Sequence, residues 1–315
     1  MQAVVIERSG GPEVLEIRDV PAPVPGPGEL LVRVRASGVN PLEAKIRQDP
    51  ASRGISLPAI LGYEASGVVE ALGPGTTGWA VGDEVFYRAD FLGNRQGTHA
   101  ELHPVAASLV ARKPRGLSFA EAAGIPLAGG TAWEAVVRRL AIRPGETILI
   151  YGGAGGVGSY AIPFAKAAGA RVLAVASRAN LPYLRERGAD LAIDYGASDP
   201  VAVALEATDG RGVDALLDLV GGATLTQAVG AVRPFGRCAV IVGFHGDFPT
   251  MYRRNLTLHT ILLHGDRRRL EELTPLFESG AVRVPVTTAS FDEIRSIHRR
   301  FDSGHGRGKT VLTVG

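Results

Sequence analysis

The chain has 315 residues, and its 34 basic and 32 acidic side chains leave a formal net charge of +2. That balance, without aromatic–basic interleaving, argues against nucleic-acid and membrane partners. With 45% hydrophobic and 21% charged residues, the composition is that of a globular protein with enough length for about two domains. The single cysteine, Cys238, lies in the apolar run RCAVIVGF. It has no internal disulfide partner, and it reads as a small buried hydrophobe in a reducing compartment. The N-terminus lacks a basic start followed by an apolar stretch, and no run of about 18 apolar residues occurs. A soluble, cytoplasmic protein is expected.

Up to about Pro114 the pattern is mostly β. AVVIER, LEIRDV, ELLVRVRASGV, ASGVVEAL and GDEVFYR are short, rich in Val, Leu and Ile, and punctuated by Gly and Pro. They predict a compact β-rich barrel or sandwich. Near Leu117 the texture turns Ala-rich and helical, and Ser118 with Glu121 forms a capping-box signal. Strands and helices then alternate: ETILIYG, VGSYAIPFAKAAG, RVLAVAS, LPYLRERG, LAIDY, VDALLDLV, TLTQAVGAV and GRCAVIVG. Such alternation predicts an α/β doubly wound, mostly parallel sheet. LTLHTILLHG reads as one more strand, at an edge. Beyond it, RRRLEELTPLFESG, VRVPVTTASF, a helix and KTVLTVG fit a return of the chain to the first domain. The expected division is a β-rich domain at 1–120, completed by 266–315, and an α/β domain at 121–265.

The strongest motif is Gly153-Ala154-Gly155-Gly156-Val157-Gly158, a G-x-G-x-x-G placed between a strand and a helix. Glycines there let the backbone turn sharply and approach a pyrophosphate, whose charge sits on the helix N-terminus. NAD-binding proteins usually carry an acid at the end of the next strand for the ribose 2′-hydroxyl. This chain reads Ser177-Arg178-Ala179-Asn180 there. Ser177 can donate a hydrogen bond and Arg178 can pair with a 2′-phosphate, so NADPH is the expected cofactor.

The motifs ASGVNPLEAKIR, LGYEASGVVEALG, VGDEVF, AGIPLAGGTAWEAV, GGAGGVGSYAI, GADLAIDY and GKTVL, in this order, resemble the medium-chain dehydrogenase/reductase superfamily in its zinc-free quinone oxidoreductase branch. The resemblance covers nearly the whole chain. It implies a GroES-like β-domain and a Rossmann domain, with cofactor in the cleft between them and a homodimer or homotetramer joined through the last Rossmann strand. It also implies residue roles. Asn40 and Thr131 would lie near the nicotinamide. Gly155, Gly156 and Val157 would hold the pyrophosphate. Ser177 and Tyr195 would meet the 2′-phosphate, where Asn180 stands in place of a common Lys and Arg178 substitutes. Val220 would line the ribose, and Gly243 and Phe244 the nicotinamide.

The superfamily's zinc enzymes use Cys where this chain has Asn40, and a G-H-E histidine where it has Tyr63. A second candidate metal pair, His99 and His103 in THAELH, sits on a predicted strand. There, four residues span about 13 Å, too far for one ion. No metal site is expected. Without a Lewis acid the acceptor must already be electrophilic, which suits quinones and α,β-unsaturated carbonyls. Asn40 and Tyr63 are the catalytic candidates, Tyr63 either as a proton or hydrogen-bond donor or as one wall of the pocket. Tyr87, Phe91, Phe244, Met251 and Tyr252 would complete that wall. The acid beside Tyr63, Glu64, needs a cation if buried, and Lys309 in GKTVL is the candidate. An enoyl or alkenal reductase, and an NADPH-binding protein without catalysis, are the other readings.

Overall fold

The computed structural model describes every residue of 1–315 except Phe91, Arg95 and His305. The chain divides into two units, one of Met1–Leu127, His264–Gly280 and Pro285–Gly315, the other of Ala128–Leu263 with Ala281–Val284.

The first unit begins with β1 (Gln2–Ile6), β2 (Glu16–Asp19), β3 (Glu29–Val39), α1 (Pro41–Gln48), β4 (Ala59–Ile60) and β5 (Glu64–Leu72). It continues with β6 (Glu84–Arg88), β7 (Leu102–Ala106), β8 (Val110–Arg112) and α2 (Phe119–Ala123). Ser118 caps α2 as its sequence predicts: Glu121 N–H donates to Ser118 Oγ at 3.2 Å and Ser118 N–H to Glu121 Oε2 at 2.8 Å. Because α2 packs on β3 and β5, it belongs with the β strands, and the second unit starts at Ala128 rather than 121.

The second unit holds α3 (Gly130–Trp133), β9 (Thr147–Tyr151), α4 (Gly156–Ala167), β10 (Arg171–Ala176), α5 (Leu181–Glu186) and β11 (Leu191–Asp194). Then follow α6 (Pro200–Glu206), β12 (Val213–Asp218), α7 (Thr224–Ala228), β13 (Val232–Val240), α8 (Phe248–Arg253) and β14 (Thr257–Thr260). Its sheet is parallel and runs β11-β10-β9-β12-β13-β14. β9 and β12 are buried along their whole length, as central strands covered on both faces must be, whereas β14 is partly exposed at the edge. Leu149, Val175, Leu216, Val229 and Cys238 share one core cluster. Burial pushes the Cys238 thiol up to about 12, so it behaves as the small hydrophobe its sequence context implies.

The chain closes with α9 (Arg267–Glu278), β15 (Val286–Ala289), α10 (Ile294–Asp302) and β16 (Lys309–Thr313). β16 lies antiparallel to β3, with Thr310 opposite Val39, in the sheet β15-β16-β3-β5-β6-β8. A smaller sheet runs β2-β1-β4. Three helices have no counterpart in the sequence-based expectation. α1 starts with Pro41 as its first residue, and Asn40 N–H donates to Glu43 Oε2 at 3.2 Å. α6 starts with Pro200 after the capping Asp199, and α8 follows the capping Asp247. Each carries a legible start signal but is too short to show helical periodicity.

Candidate active site

In the second unit the strand ends set out one functional edge. Parallel register places Tyr151 beside Val175 and Asp218, Ala176 beside Asp194, and Asp218 beside Val240. The segments after these strands therefore emerge together, where open α/β sheets bind ligands. After β9 the chain turns through Gly152, at φ +73°, into α4. A Cβ on Gly158 would stand 2.4 Å from the carbonyl oxygen of Gly153, so only glycine permits this approach of helix to turn. Among the described residues no side chain caps α4. Its first N–H groups and dipole face an acceptor that must come from elsewhere, which is the arrangement that fits a pyrophosphate.

The other residues expected to hold cofactor in this unit line up along the same edge or behind it. Gly153, Gly155, Gly156, Val157 and Gly158 form the turn and first helical residues. Ser177 follows β10, and Asn180 Nδ2 donates to its Oγ at 3.2 Å. Arg178 is 83% exposed, and its Nε donates to Asp194 Oδ2 at 3.2 Å. Tyr195 follows β11 and is 62% exposed. After β12, Asp218 Oδ1 accepts the N–H groups of Val220 and Gly221 at 2.9 and 3.0 Å, which leaves Val220 exposed. Gly222 pairs with Phe244 and donates to the Gly243 carbonyl at 2.8 Å, so Val220, Gly243 and Phe244 belong to one cluster of loops. Thr131 is buried within α3, which packs on α4.

In the first unit a buried polar network centres on Glu64. Its Oε1 lies 2.5 Å from Lys309 Nζ and accepts Asn40 Nδ2 at 2.8 Å, while Oε2 accepts the Leu127 N–H at 2.6 Å. Lys309 also donates to Asn40 Oδ1 at 2.8 Å and to the Val39 carbonyl at 2.9 Å. Both ends of the Asn40 amide are therefore fixed, and the expected Glu64–Lys309 pair is present. A second carboxylate, Glu43, accepts His99 Nε2 at 3.1 Å, and Ser37 Oγ lies 2.8 Å from His99 Nδ1. Burial opposes the charge on Glu43, but His99, His298 and Lys309 outweigh it and hold the carboxyl below its ordinary range.

Sequence reasoning missed Glu43 and His99 as partners. The N-P-L-E start of α1 was the available signal for Glu43. His99 attracted notice only as a candidate metal ligand, yet it serves Glu43, while His103 takes Tyr87 OH and the Gln96 carbonyl, each at 3.1 Å. Tyr63 corrects the expectation more sharply. It is wholly buried in an apolar cluster with Leu15, Ile46, Leu61 and Leu312. Burial and then the Glu43 charge push its phenol well above the usual range, which opposes a role in proton delivery. The other residues of the expected aromatic wall are divided between the two units. Tyr87 is buried in a different cluster, and Met251 and Tyr252 line a hollow of about 440 Å³ with Phe248, Asn255, Leu256 and Leu258. Phe91 lies outside the described residues.

A doubly wound parallel sheet with a glycine turn leading into a helix that no described side chain caps is the architecture of a dinucleotide-binding protein. Comparison with known proteins gives the family. Residues 26–115 match the alcohol dehydrogenase GroES-like domain, and residues 156–279 match the zinc-binding dehydrogenase family. A quinone oxidoreductase of Pseudomonas aeruginosa is 33% identical over 96% of each chain. The chloroplastic NADPH-dependent alkenal/one oxidoreductase of Arabidopsis thaliana is 32% identical over 99% of this chain and 79% of its own. Among solved structures, an NAD-dependent alcohol dehydrogenase superposes with a TM-score of 0.93 at 33% identity over the whole of both chains. The Escherichia coli quinone oxidoreductase complexed with NADPH does so at 0.91 and 27%, again over both whole chains. The chain belongs to the medium-chain dehydrogenase/reductase superfamily and is an oxidoreductase that uses a nicotinamide cofactor.

One of the matching families is described by zinc, and the residues here do not fit that ion. Among the described residues no three His, Cys, Asp or Glu side chains converge as ligands. Asn40 spends its amide on Glu64 and Lys309, Tyr63 is packed in the core, and the ammonium of Lys309 already neutralises Glu64. Also among the described residues, no helix is long and apolar enough to cross a membrane.

Proposed function

We propose that the protein transfers hydride from NADPH to a quinone or another conjugated carbonyl, without zinc. The observation that carries this reading is the Asn40–Glu64–Lys309 cluster. It sets the Asn40 amide where zinc-dependent members carry a Cys ligand and neutralises the neighbouring Glu64 carboxylate with Lys309, while Tyr63 stands where they carry the His. Lacking a Lewis acid, such a site suits an acceptor that is electrophilic on its own.

Bound, the reduced nicotinamide supplies the hydride. The chain's part is to bind and to orient. The Gly153–Gly158 turn and the α4 N-terminus receive the pyrophosphate, and Ser177, Arg178, Asn180 and Tyr195 take the 2′-phosphate. Thr131, Val220, Gly243 and Phe244 are assigned to the nicotinamide riboside. Asn40 is the first unit's residue for the reaction, held still by Glu64 and Lys309. A quinone that receives the hydride needs one further proton to become the hydroquinone, and solvent can supply it, so no buried donor is required, which agrees with the burial of Tyr63. The similarity to an alkenal/one oxidoreductase supports enones as a second acceptor class. We assign a homodimer or homotetramer, with a second copy adding to the edge strand β14, and no nucleic-acid or membrane partner.

The test is steady-state NADPH oxidation with 1,4-benzoquinone and 9,10-phenanthrenequinone, then with alkenals. Turnover that survives exhaustive dialysis against a chelator supports the reading. Tight NADPH binding without turnover on any quinone or enone overturns it.

A further inference from the structure

The end of β10 offers no acid for a ribose hydroxyl, but the neighbouring strand brings one. Register sets Asp194, the last residue of β11, beside Ala176, the last residue of β10. From there its carboxylate reaches Arg178, whose Nε donates to Oδ2 at 3.2 Å. Asp194 is only 12% exposed and is anchored. Its Oδ1 accepts the Gly196 N–H at 2.9 Å, and its carbonyl accepts the N–H groups of Ala197 and Ser198, both at 3.1 Å. The carboxylate is thus fixed, while the guanidinium beside it stands in solvent.

We infer that Asp194 sets how strongly this site distinguishes cofactors with a 2′-phosphate from those without one. The inference rests on the reading of Ser177 and Arg178 as the 2′-phosphate site. A lone Arg178 would offer a phosphate one full positive charge. Paired with Asp194, it offers a near-neutral couple, with Nη1 and Nη2 still able to donate. A 2′-hydroxyl gains instead, because a fixed carboxylate stands at a strand end as its acceptor. One ion pair therefore carries both halves of the recognition, an arginine for the phosphate and an acid for the hydroxyl. The wild-type protein prefers NADPH, but only modestly.

The experiment is calorimetric titration with adenosine 2′,5′-bisphosphate and AMP, which lack the nicotinamide and isolate this edge, repeated with NADPH and NADH. Asp194→Asn keeps an oxygen for the Gly196 N–H and removes the charge. It is expected to raise the preference for the bisphosphate by about three- to fivefold, the scale of a solvent-exposed charge pair. Asp194→Ser removes the same charge and is read in parallel should the Asn variant fold poorly. A preference that stays unchanged, or moves toward AMP, overturns the inference. Arg178→Gln separates the two ideas. If it abolishes a wild-type preference that Asp194→Asn leaves alone, only the role of Asp194 fails. If the wild type binds both probes equally and Arg178→Gln changes neither, the 2′-phosphate reading itself fails.

Discussion

Lys309 Nζ lies 2.5 Å from Glu64 Oε1, with the two side chains 2% and 0% exposed. The lysine is the first residue of β16 and the acid the first of β5, so the last strand of the chain supplies the cation for an acid near its start. Removing one member of a buried pair leaves the other charged and desolvated, at about 3–5 kcal/mol. Lys309→Met is therefore expected to lower unfolding free energy by about that amount, and Lys309→Arg clearly less. Denaturant unfolding of both variants measures it. Addition of Glu64→Gln to the Met variant is expected to restore part of the loss, since it removes the stranded charge. Wild-type stability in Lys309→Met would show that Asn40 and the Leu127 N–H satisfy Glu64 without help.

Gly158→Ala tests the turn before α4. The added methyl would meet the Gly153 carbonyl oxygen at 2.4 Å, and backbone on both sides leaves little room to yield. A stability loss of about 1–3 kcal/mol is expected from overpacking. Displacement of the α4 N-terminus should weaken NADPH binding in fluorescence titration by tenfold or more, on the order of 1.4 kcal/mol. An Ala variant with wild-type affinity would show that the pyrophosphate is held elsewhere.

What could be read in advance was local or sequential. Runs such as TILIY and VDALLD announce buried strands, and the G-x-G-x-x-G turn needs only its flanking strand and helix. The Glu64–Lys309 pair was legible for a simpler reason, because a buried acid needs a cation and the returning tail carries one. The direction of a side chain just before a strand was not legible. Tyr63 precedes β5 by one residue, and only packing against Leu15, Ile46 and Leu312 decides that it turns inward. Asp194 stayed hidden because its neighbour is fixed by parallel register with β10, not by spacing along the chain.

Tyr63→Phe follows from that burial. A proton donor in the reaction would be worth about 10²-fold or more in turnover. The Phe variant is instead expected to reduce quinones at a rate within about twofold of wild type, far short of such a loss. A hundredfold fall in kcat, with wild-type NADPH affinity and an unchanged melting temperature, would return Tyr63 to the chemistry.

His298 predicts a pH dependence. It lies in α10, fully buried, and neither ring nitrogen has a hydrogen-bond partner among the described residues. Burial lowers its pKa to about 4. The charge of Glu43 opposes the shift, His99 and Arg47 reinforce it, and Asp302 opposes it. The unfolded chain, with an imidazole near its ordinary 6.5, binds the proton more readily than the folded one. The neutral ring therefore contributes its stability above pH 6.5, and that contribution is lost as pH falls through this window toward 4. The full loss approaches about 3 kcal/mol, with a slope near 1.4 kcal/mol per pH unit. His103, also lowered to about 4 by burial, adds in the same direction. Urea unfolding at pH 7, 6 and 5 should show the decline, and His298→Leu should make it shallower by the share of one proton. An equal slope in wild type and variant would mean that the buried ring takes up its proton in the folded state as easily as in the unfolded one.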